Sequence, residues 1–211
     1  MATTDSALAF VESLPVEDSI LLAARARAQE VGVVPVSPAG GAVLHLLAGA
    51  TRARSAVEVG TGTGVSGLWL LRGMRPDGVL TSIDAEAEHQ RLARTAFTED
   101  GVPTARARLI TGRALDVLPR LADASYDLVV CSADKREYPD YLGQVVRLLR
   151  PGGVLVFDGV LRAAEQVARD AEAGAARRLI ELIGEEPRLA TAVLPVDTGL
   201  LAAVLVAEGQ G

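Results

Sequence analysis

The sequence predicts an α/β fold: a mostly parallel seven-stranded sheet covered by helices on both faces, closed by an antiparallel hairpin and preceded by N-terminal helices. Three observations predict it. From residue 56 onward, short apolar runs bounded by glycine alternate with segments of helical periodicity, the pattern of strands buried on both faces. A glycine-rich turn follows the first of these runs and opens a helix. The last two runs are joined only by Asp197-Thr198-Gly199, too short for a parallel crossover, so they pair antiparallel.

Taken in order, Thr3 to Leu14 is small and polar, and residues 1–15 are predicted to be loose or partner-dependent. Val16–Val31 and Ala39–Ala50 read as two helices split by Val34-Pro35-Val36-Ser37-Pro38, which gives N-terminal helices over 16–50. Strands are predicted at 56–59, 79–83, 107–110, 127–131 and 153–157, with helices at 65–73, 85–99, 114–122, 138–149 and 162–183. The closing strands are Arg188–Val196 and Leu200–Ala207, so the core runs over 56–211. No repeat or linker divides the chain, and a single domain over 1–211 is expected.

Composition narrows the function. A net charge of −6 lacks the basic face of a general nucleic-acid binder. The single Cys131 rules out an intramolecular disulfide and any multi-cysteine metal site. No apolar run is long enough to span a bilayer and no signal peptide is visible, so a cytoplasmic protein without membrane or nucleic-acid partners is expected.

The chemistry concentrates in Ala56-Val57-Glu58-Val59-Gly60-Thr61-Gly62-Thr63-Gly64-Val65-Ser66-Gly67. Glycine at alternate positions lets the backbone approach a ligand, and the helix that follows presents free N–H groups and its positive dipole end. The next strand, Val79-Leu80-Thr81-Ser82-Ile83, ends in Asp84, placed to accept hydrogen bonds from ribose hydroxyls. Together they describe a nucleoside site. Gly62 to Gly67 also satisfies the dinucleotide pattern G-x-G-x-x-G. Glu58 discriminates: a carboxylate beside the cofactor repels a pyrophosphate but suits an ammonium and a sulfonium, as in S-adenosyl-L-methionine.

Five parallel strands with a closing hairpin are the class I methyltransferase arrangement, a Rossmann-like fold. The chain from about Val34 onward resembles the small bacterial O-methyltransferases related to catechol and caffeoyl-coenzyme A O-methyltransferases. The resemblance is carried by Val36-Ser37-Pro38-Ala39-Gly40-Gly41, by the glycine turn, by Ile83-Asp84-Ala85-Glu86-Ala87-Glu88-His89 and by Thr111-Gly112-Arg113-Ala114. Asp134-Lys135-Arg136-Glu137-Tyr138-Pro139-Asp140-Tyr141 and Arg150-Pro151-Gly152-Gly153 complete it. It implies that Val36 passes over S-adenosyl-L-methionine, that Glu58, Gly60, Thr61 and Gly62 face its methionine part, and that Ser66 binds its amino-acid end. Asp84 and Ala85 would hold the ribose, Arg113 and Ala114 would border the adenine, and Ser132 would complete the cofactor contacts. It further implies a small hydroxyl-bearing acceptor, such as a phenol, and a homodimer, for which the apolar N-terminal helices could supply the interface.

The departures from the family's pattern matter equally. Active members hold a divalent cation such as Mg²⁺ through an aspartate two positions before the Asp-Lys pair and through an Asp-Asn pair after the fifth strand. Here those positions are Ser132 and Asp158-Gly159, so a degraded or absent metal site is expected unless Asp134 turns inward. Lys135 and Asp158 are then the candidate catalytic residues, Lys135 as a base if burial lowers its pKa. Two other readings stay open, a non-catalytic S-adenosylmethionine-binding protein and a nicotinamide-dependent oxidoreductase. His45 is expected to be semi-buried, His89 to lie on a helix surface and Trp69 to pack on the sheet; Tyr138 and Tyr141, one helical turn apart, either line a pocket or join the core.

Overall fold

The computed structural model describes residues 2–161 and 171–206, with side chains described from residue 6. Three helices come first: α1 (Ala2–Ser13), α2 (Ser19–Glu30) and α3 (Pro38–Ala50). They are followed by β1 (Ser55–Val59), α4 (Val65–Gly73), β2 (Val79–Asp84), α5 (Ala87–Glu99), β3 (Ala107–Thr111) and α6 (Ala114–Val117). Then come β4 (Tyr126–Cys131), α7 (Tyr138–Leu148), β5 (Leu149–Asp158), α8 (Ala171–Glu185), β6 (Leu189–Leu194) and β7 (Leu200–Leu205). The seven strands form one sheet in the order β3-β2-β1-β4-β5-β7-β6. The first five are parallel, and β7 runs antiparallel between β5 and β6.

Strand alternation explains the layering. Val57, Val59, Val129, Cys131, Leu155 and Phe157 face α6, α7 and α8, where they meet Val117, Tyr138, Val145, Leu179 and Ile183. Their neighbours Ala56, Leu128, Val130, Val154 and Val156 point the other way, onto α2 to α5 through Leu21, Leu44, Leu68 and Phe97. Apolar residues on both faces of every central strand leave no solvated side to the sheet, as parallel pairing requires.

Local chemistry sets the ends. Asp18 caps α2 by accepting from Leu21 N at 3.0 Å, and Ser37 caps α3 by accepting from Gly40 N at 3.1 Å, with Pro38 at the first helical position. The helix expected over 114–122 stops at Val117 and tightens into a 3₁₀ turn over Leu118–Arg120, because Pro119 brings no N–H to continue it. The fifth strand is longer than expected and pairs irregularly, Tyr126 with Leu149 and then Leu128 with Val154, across the turn at Pro151-Gly152. The helix expected over 162–183 is seen from Ala171 onward; residues 162–170 and Ala207 lie outside the described residues.

The segment expected to be loose over 1–15 is helical across Ala2–Ser13, and it is tied down by one carboxylate. Glu12 accepts from Ser37 Oγ at 2.9 Å, from Ala39 N at 3.1 Å and from Asp197 N at 3.1 Å. Asp197 in turn accepts from Ser37 N at 2.7 Å. Trp69 does not pack on the sheet; it lies against α3, where a Cβ on Gly41 would sit 2.3 Å from its Nε1, and it meets the His45 ring edge-on at 6.1 Å. His45 is exposed rather than semi-buried.

Asp127 joins the first residues of three strands. Its Oδ2 accepts from Arg54 N and Ser55 N at 2.7 and 2.8 Å, and its Oδ1 from Arg150 Nε at 2.5 Å. Burial pushes its pKa up, but these donors more than offset that and hold it below the ordinary value. Truncation would leave two part-buried N–H groups and the Arg150 guanidinium without their acceptor, so Asp127→Ala is expected to destabilise the fold by about 1–3 kcal/mol, read as a lower urea midpoint at unchanged slope.

Candidate active site

The helices after β1 and after β4 lie on opposite faces of the sheet, so a crevice opens beyond the carboxyl ends of these neighbouring strands. There β1 is laced to both of its neighbours: Ser132 N, just after β4, donates to Val59 O, and Gly60 N donates to Ile83 O of β2, each at 2.8 Å. Gly60 has φ +94°, and a Cβ on it would lie 2.4 Å from the Ser132 carbonyl oxygen. No other residue fits this position.

A cavity of about 470 Å³ occupies the crevice. Ten of the eleven cofactor residues expected from the sequence line it: Val36, Gly60, Thr61, Gly62, Ser66, Asp84, Ala85, Arg113, Ala114 and Ser132. The eleventh, Glu58, is absent from the lining; it is fully buried behind the glycine turn, on the α4 side of β1. Val33, Thr63, His89 and Glu137 line the cavity without having been expected to, and Tyr141 takes the pocket-lining one of its two expected places.

Asp84 braces the turn as well as facing the cavity. Its Oδ2 accepts from Gly62 N at 2.9 Å, while its Oδ1 accepts from Glu86 N at 2.9 Å and faces His89 Nδ1 at 3.1 Å. His89 therefore belongs to the site wall and not to the outer surface of α5. Behind the turn runs a buried relay: Gln90 Nε2 donates to Thr61 Oγ1 at 2.9 Å, Thr61 Oγ1 meets Ser82 Oγ at 2.6 Å, and Ser82 Oγ donates to Glu58 Oε2 at 2.5 Å. Gln90 also donates to the carbonyls of Ser82 and Ile110. A glutamine one helical turn from Ala93 and two from Phe97, on the face that packs against the sheet, was the available sequence signal for this group.

Glu58 is a carboxyl group held away from solvent. Burial pushes its pKa up to about 7, the Ser66 and Ser82 hydroxyls pull it back, and nearby Asp84 raises it further. Its Oε1 has no hydrogen-bond partner among the described residues.

At the far end, Ser132 Oγ donates to Asp158 Oδ2 at 3.0 Å, while Asp158 Oδ1 is shut off from solvent with no partner among the described residues. Burial and the Asp197 carboxylate raise the Asp158 pKa to about 6, against the Ser132 hydroxyl and the Lys135 charge. Tyr138 joins the core, its hydroxyl 3.0 Å from the carbonyl oxygens of both Cys131 and Asp158. Tyr141 lines the cavity and donates to Glu137 Oε2 at 2.5 Å. Asp134 does not turn toward Asp158; it is held by the Arg136 guanidinium at 2.5–3.0 Å. Lys135 lies across Gly159 rather than in the cavity lining. Among the described residues, no three His, Cys, Asp or Glu side chains gather as a metal would need.

The fold, the crevice and its acid-braced glycine turn define a nucleoside-dependent transferase, and comparison with known proteins makes this specific. Residues 12–205 match the O-methyltransferase family, and the chain belongs to it. A Mycobacterium tuberculosis H37Rv protein named as an O-methyltransferase is 54% identical over 203 residues, covering 95% of this chain and 91% of its own. The Streptomyces achromogenes O-methyltransferase involved in tomaymycin synthesis, solved with S-adenosylmethionine, is 32% identical, covers 94% of both chains and superposes with a TM-score of 0.85. The Bacillus cereus O-methyltransferase, solved with S-adenosylhomocysteine, is 29% identical, covers 95% and 97% of the chains and also scores 0.85. The nicotinamide alternative falls with this assignment.

The raised Glu58 pKa has a definite sign. Between its ordinary 4.5 and about 7 the folded chain keeps a proton that the unfolded chain has released, so stability falls as pH rises through that window. Asp158 acts in the same sense between 3.8 and about 6. Calorimetric melting of the cofactor-free protein is expected to show Tm falling from pH 5 to pH 7.5. Glu58→Gln is expected to flatten the part of that fall above pH 6, where Asp158 no longer contributes.

Proposed function

We propose that this protein is an S-adenosyl-L-methionine-dependent O-methyltransferase that methylates a hydroxyl of a small acceptor without help from a divalent cation. The observation that carries the reading is the cavity against the glycine turn, where ten residues expected to hold the cofactor converge. S-adenosylmethionine supplies a methyl group on a sulfonium, which becomes a neutral thioether once the methyl has passed to an acceptor oxygen that gives up its proton. Asp84 holds the ribose hydroxyls, with His89 fixing the carboxylate from the side. Arg113, pulled toward Glu137 at 3.4 Å, and Ala114 border the adenine. Ser66 and the free N–H groups of the first α4 turn take the carboxylate of the methionine part. Glu58 behind the turn gives up its proton more readily once a ligand carrying ammonium and sulfonium groups is bound, and the buried charge so formed favours that ligand.

On the acceptor side, the unpartnered Asp158 Oδ1 receives the hydroxyl proton, and Ser132 orients that carboxyl through Oδ2. The donor set supports the metal-free part of the reading: Ser132 is turned to Asp158, Gly159 has no ligand to offer, and Asp134 is engaged by Arg136. Exposed Val16, Val34 and Leu46 on the N-terminal segments support a homodimer.

Isothermal titration with S-adenosylmethionine in EDTA is expected to give saturable one-site binding. Asp84→Ala should weaken it roughly 10- to 100-fold, the loss of charge-assisted hydrogen bonds of about 1.5–3 kcal/mol. Absence of wild-type binding in EDTA that Mg²⁺ restores would overturn the metal-free reading.

A further inference from the structure

Lys135 is a half-buried cation just ahead of α7. It makes neither a hydrogen bond nor an ion pair among the described residues, although the Asp134 and Asp158 carboxylates both feel its charge. Its position is set by a missing side chain. Gly159, buried and at φ +77°, leaves a gap into which the lysine stem fits: a Cβ there would lie 2.2 Å from Lys135 Cε, 3.0 Å from Nζ and 3.5 Å from Thr198 Oγ1. Any residue with a side chain at 159 would have to displace the lysine. Next to it, Asp158 Oδ1 is buried and unpartnered, its sister oxygen already taken by Ser132. Among the described residues, an ammonium outside any ion pair and a carboxylate oxygen with no donor thus lie next to Ser132, which lines the cavity. A buried polar atom is ordinarily satisfied, so Asp158 Oδ1, with the half-buried Lys135 beside it, marks a place for a ligand atom that both accepts and donates.

We propose that the Lys135 ammonium is a tethered cation that takes the place of a divalent metal in this chain, so that the acceptor presents one hydroxyl oxygen between Lys135 Nζ and Asp158 Oδ1. The inference rests on the reading of the cavity as the cofactor and acceptor site. A divalent ion can bind two neighbouring acceptor oxygens at once, whereas an ammonium is a compact charge with three donors and no chelating geometry. The acceptor class follows: a lone phenol-type hydroxyl is held as well as one of a vicinal pair, and a second adjacent oxygen gains nothing from the cation. The lysine acts here by staying charged, a positioning role distinct from that of a base.

The test is Mn²⁺ binding, followed by electron paramagnetic resonance in the presence of S-adenosylmethionine, on four proteins. Wild type and Lys135→Met are expected to bind no tighter than about 1 mM, since neither has a ligand set for a hard cation. Ser132→Asp/Gly159→Asn restores oxygen ligands and keeps the lysine's charge beside them although its stem must shift, and asparagine tolerates the left-handed backbone at 159. Adding Lys135→Met to that pair is expected to tighten Mn²⁺ binding roughly tenfold or more. Micromolar wild-type affinity would overturn the proposal, as would equal affinity of the double and triple variants. Lys135→Met/Ser132→Asp, which leaves the backbone at Gly159 untouched, is compared with Ser132→Asp alone against the same two outcomes, should the triple variant not fold. Calorimetric titration of the wild type with S-adenosylmethionine runs alongside: its failure would sink the reading of the cavity, while the Mn²⁺ comparison still judges Lys135.

Discussion

The close approach of Gly60 to the Ser132 carbonyl is the contact on which the rest depends. It lets the end of β1 stay in register with β4, through Ser132 N on Val59 O, while Gly60 N holds it to β2 through Ile83 O. A methyl group at residue 60 would push the two ends apart by more than the backbone can absorb, because the obstacle is a carbonyl and not a flexible side chain. Everything in the cavity is referred to that junction. Asp84 reaches the turn from the neighbouring strand, and Ser132 carries its hydroxyl from the junction to Asp158 on the next one.

Two carboxyl groups with raised pKa values lie at the two ends of this arrangement, and both are raised chiefly by burial. Each also keeps one oxygen unpartnered among the described residues. Glu58 lies behind the wall near the N-terminus of α4, and Asp158 at the acceptor end. The folded chain thus holds electrostatic frustration that a cationic ligand at one end and a hydrogen-bond donor at the other would relieve. Stability is given up at the places where ligands contribute most, as expected of a binding cleft.

The parts legible from sequence were those set by neighbours along the chain. The glycine turn, the acid at the end of β2, the strand alternation and the hairpin closed by Asp197-Thr198-Gly199 each follow from local spacing, and the structure places them accordingly. What was not legible depends on contacts between distant segments. Glu58 was expected to face the ligand, but strand alternation shared with Ala56 turns it to the α4 side, where Ser82 receives it. His89 reads as a surface residue until the β2–α5 turn swings it onto Asp84. Trp69 was assigned to the sheet because nothing local shows that Gly41 leaves a slot for an indole on α3. The helicity of 2–13 was hidden because its anchor, Glu12, finds its partners at residues 37, 39 and 197.

That anchor gives the cavity mouth an unusual dependence. Val33 to Val36 form part of the cavity wall, and the next residue, Ser37, is fastened to both α1 and the β6–β7 turn. Glu12 and Asp197 are themselves joined, so three segments separated by up to 185 residues close on one another there. The mouth has no latch of its own: its shape is a report on whether the first and last elements of the chain are both in place. A chain still emerging during synthesis, with the hairpin unmade, would already possess the glycine turn and Asp84 yet lack the fixed rim over them. Enclosing a ligand at this rim therefore requires the sheet's far edge as well as the glycine turn.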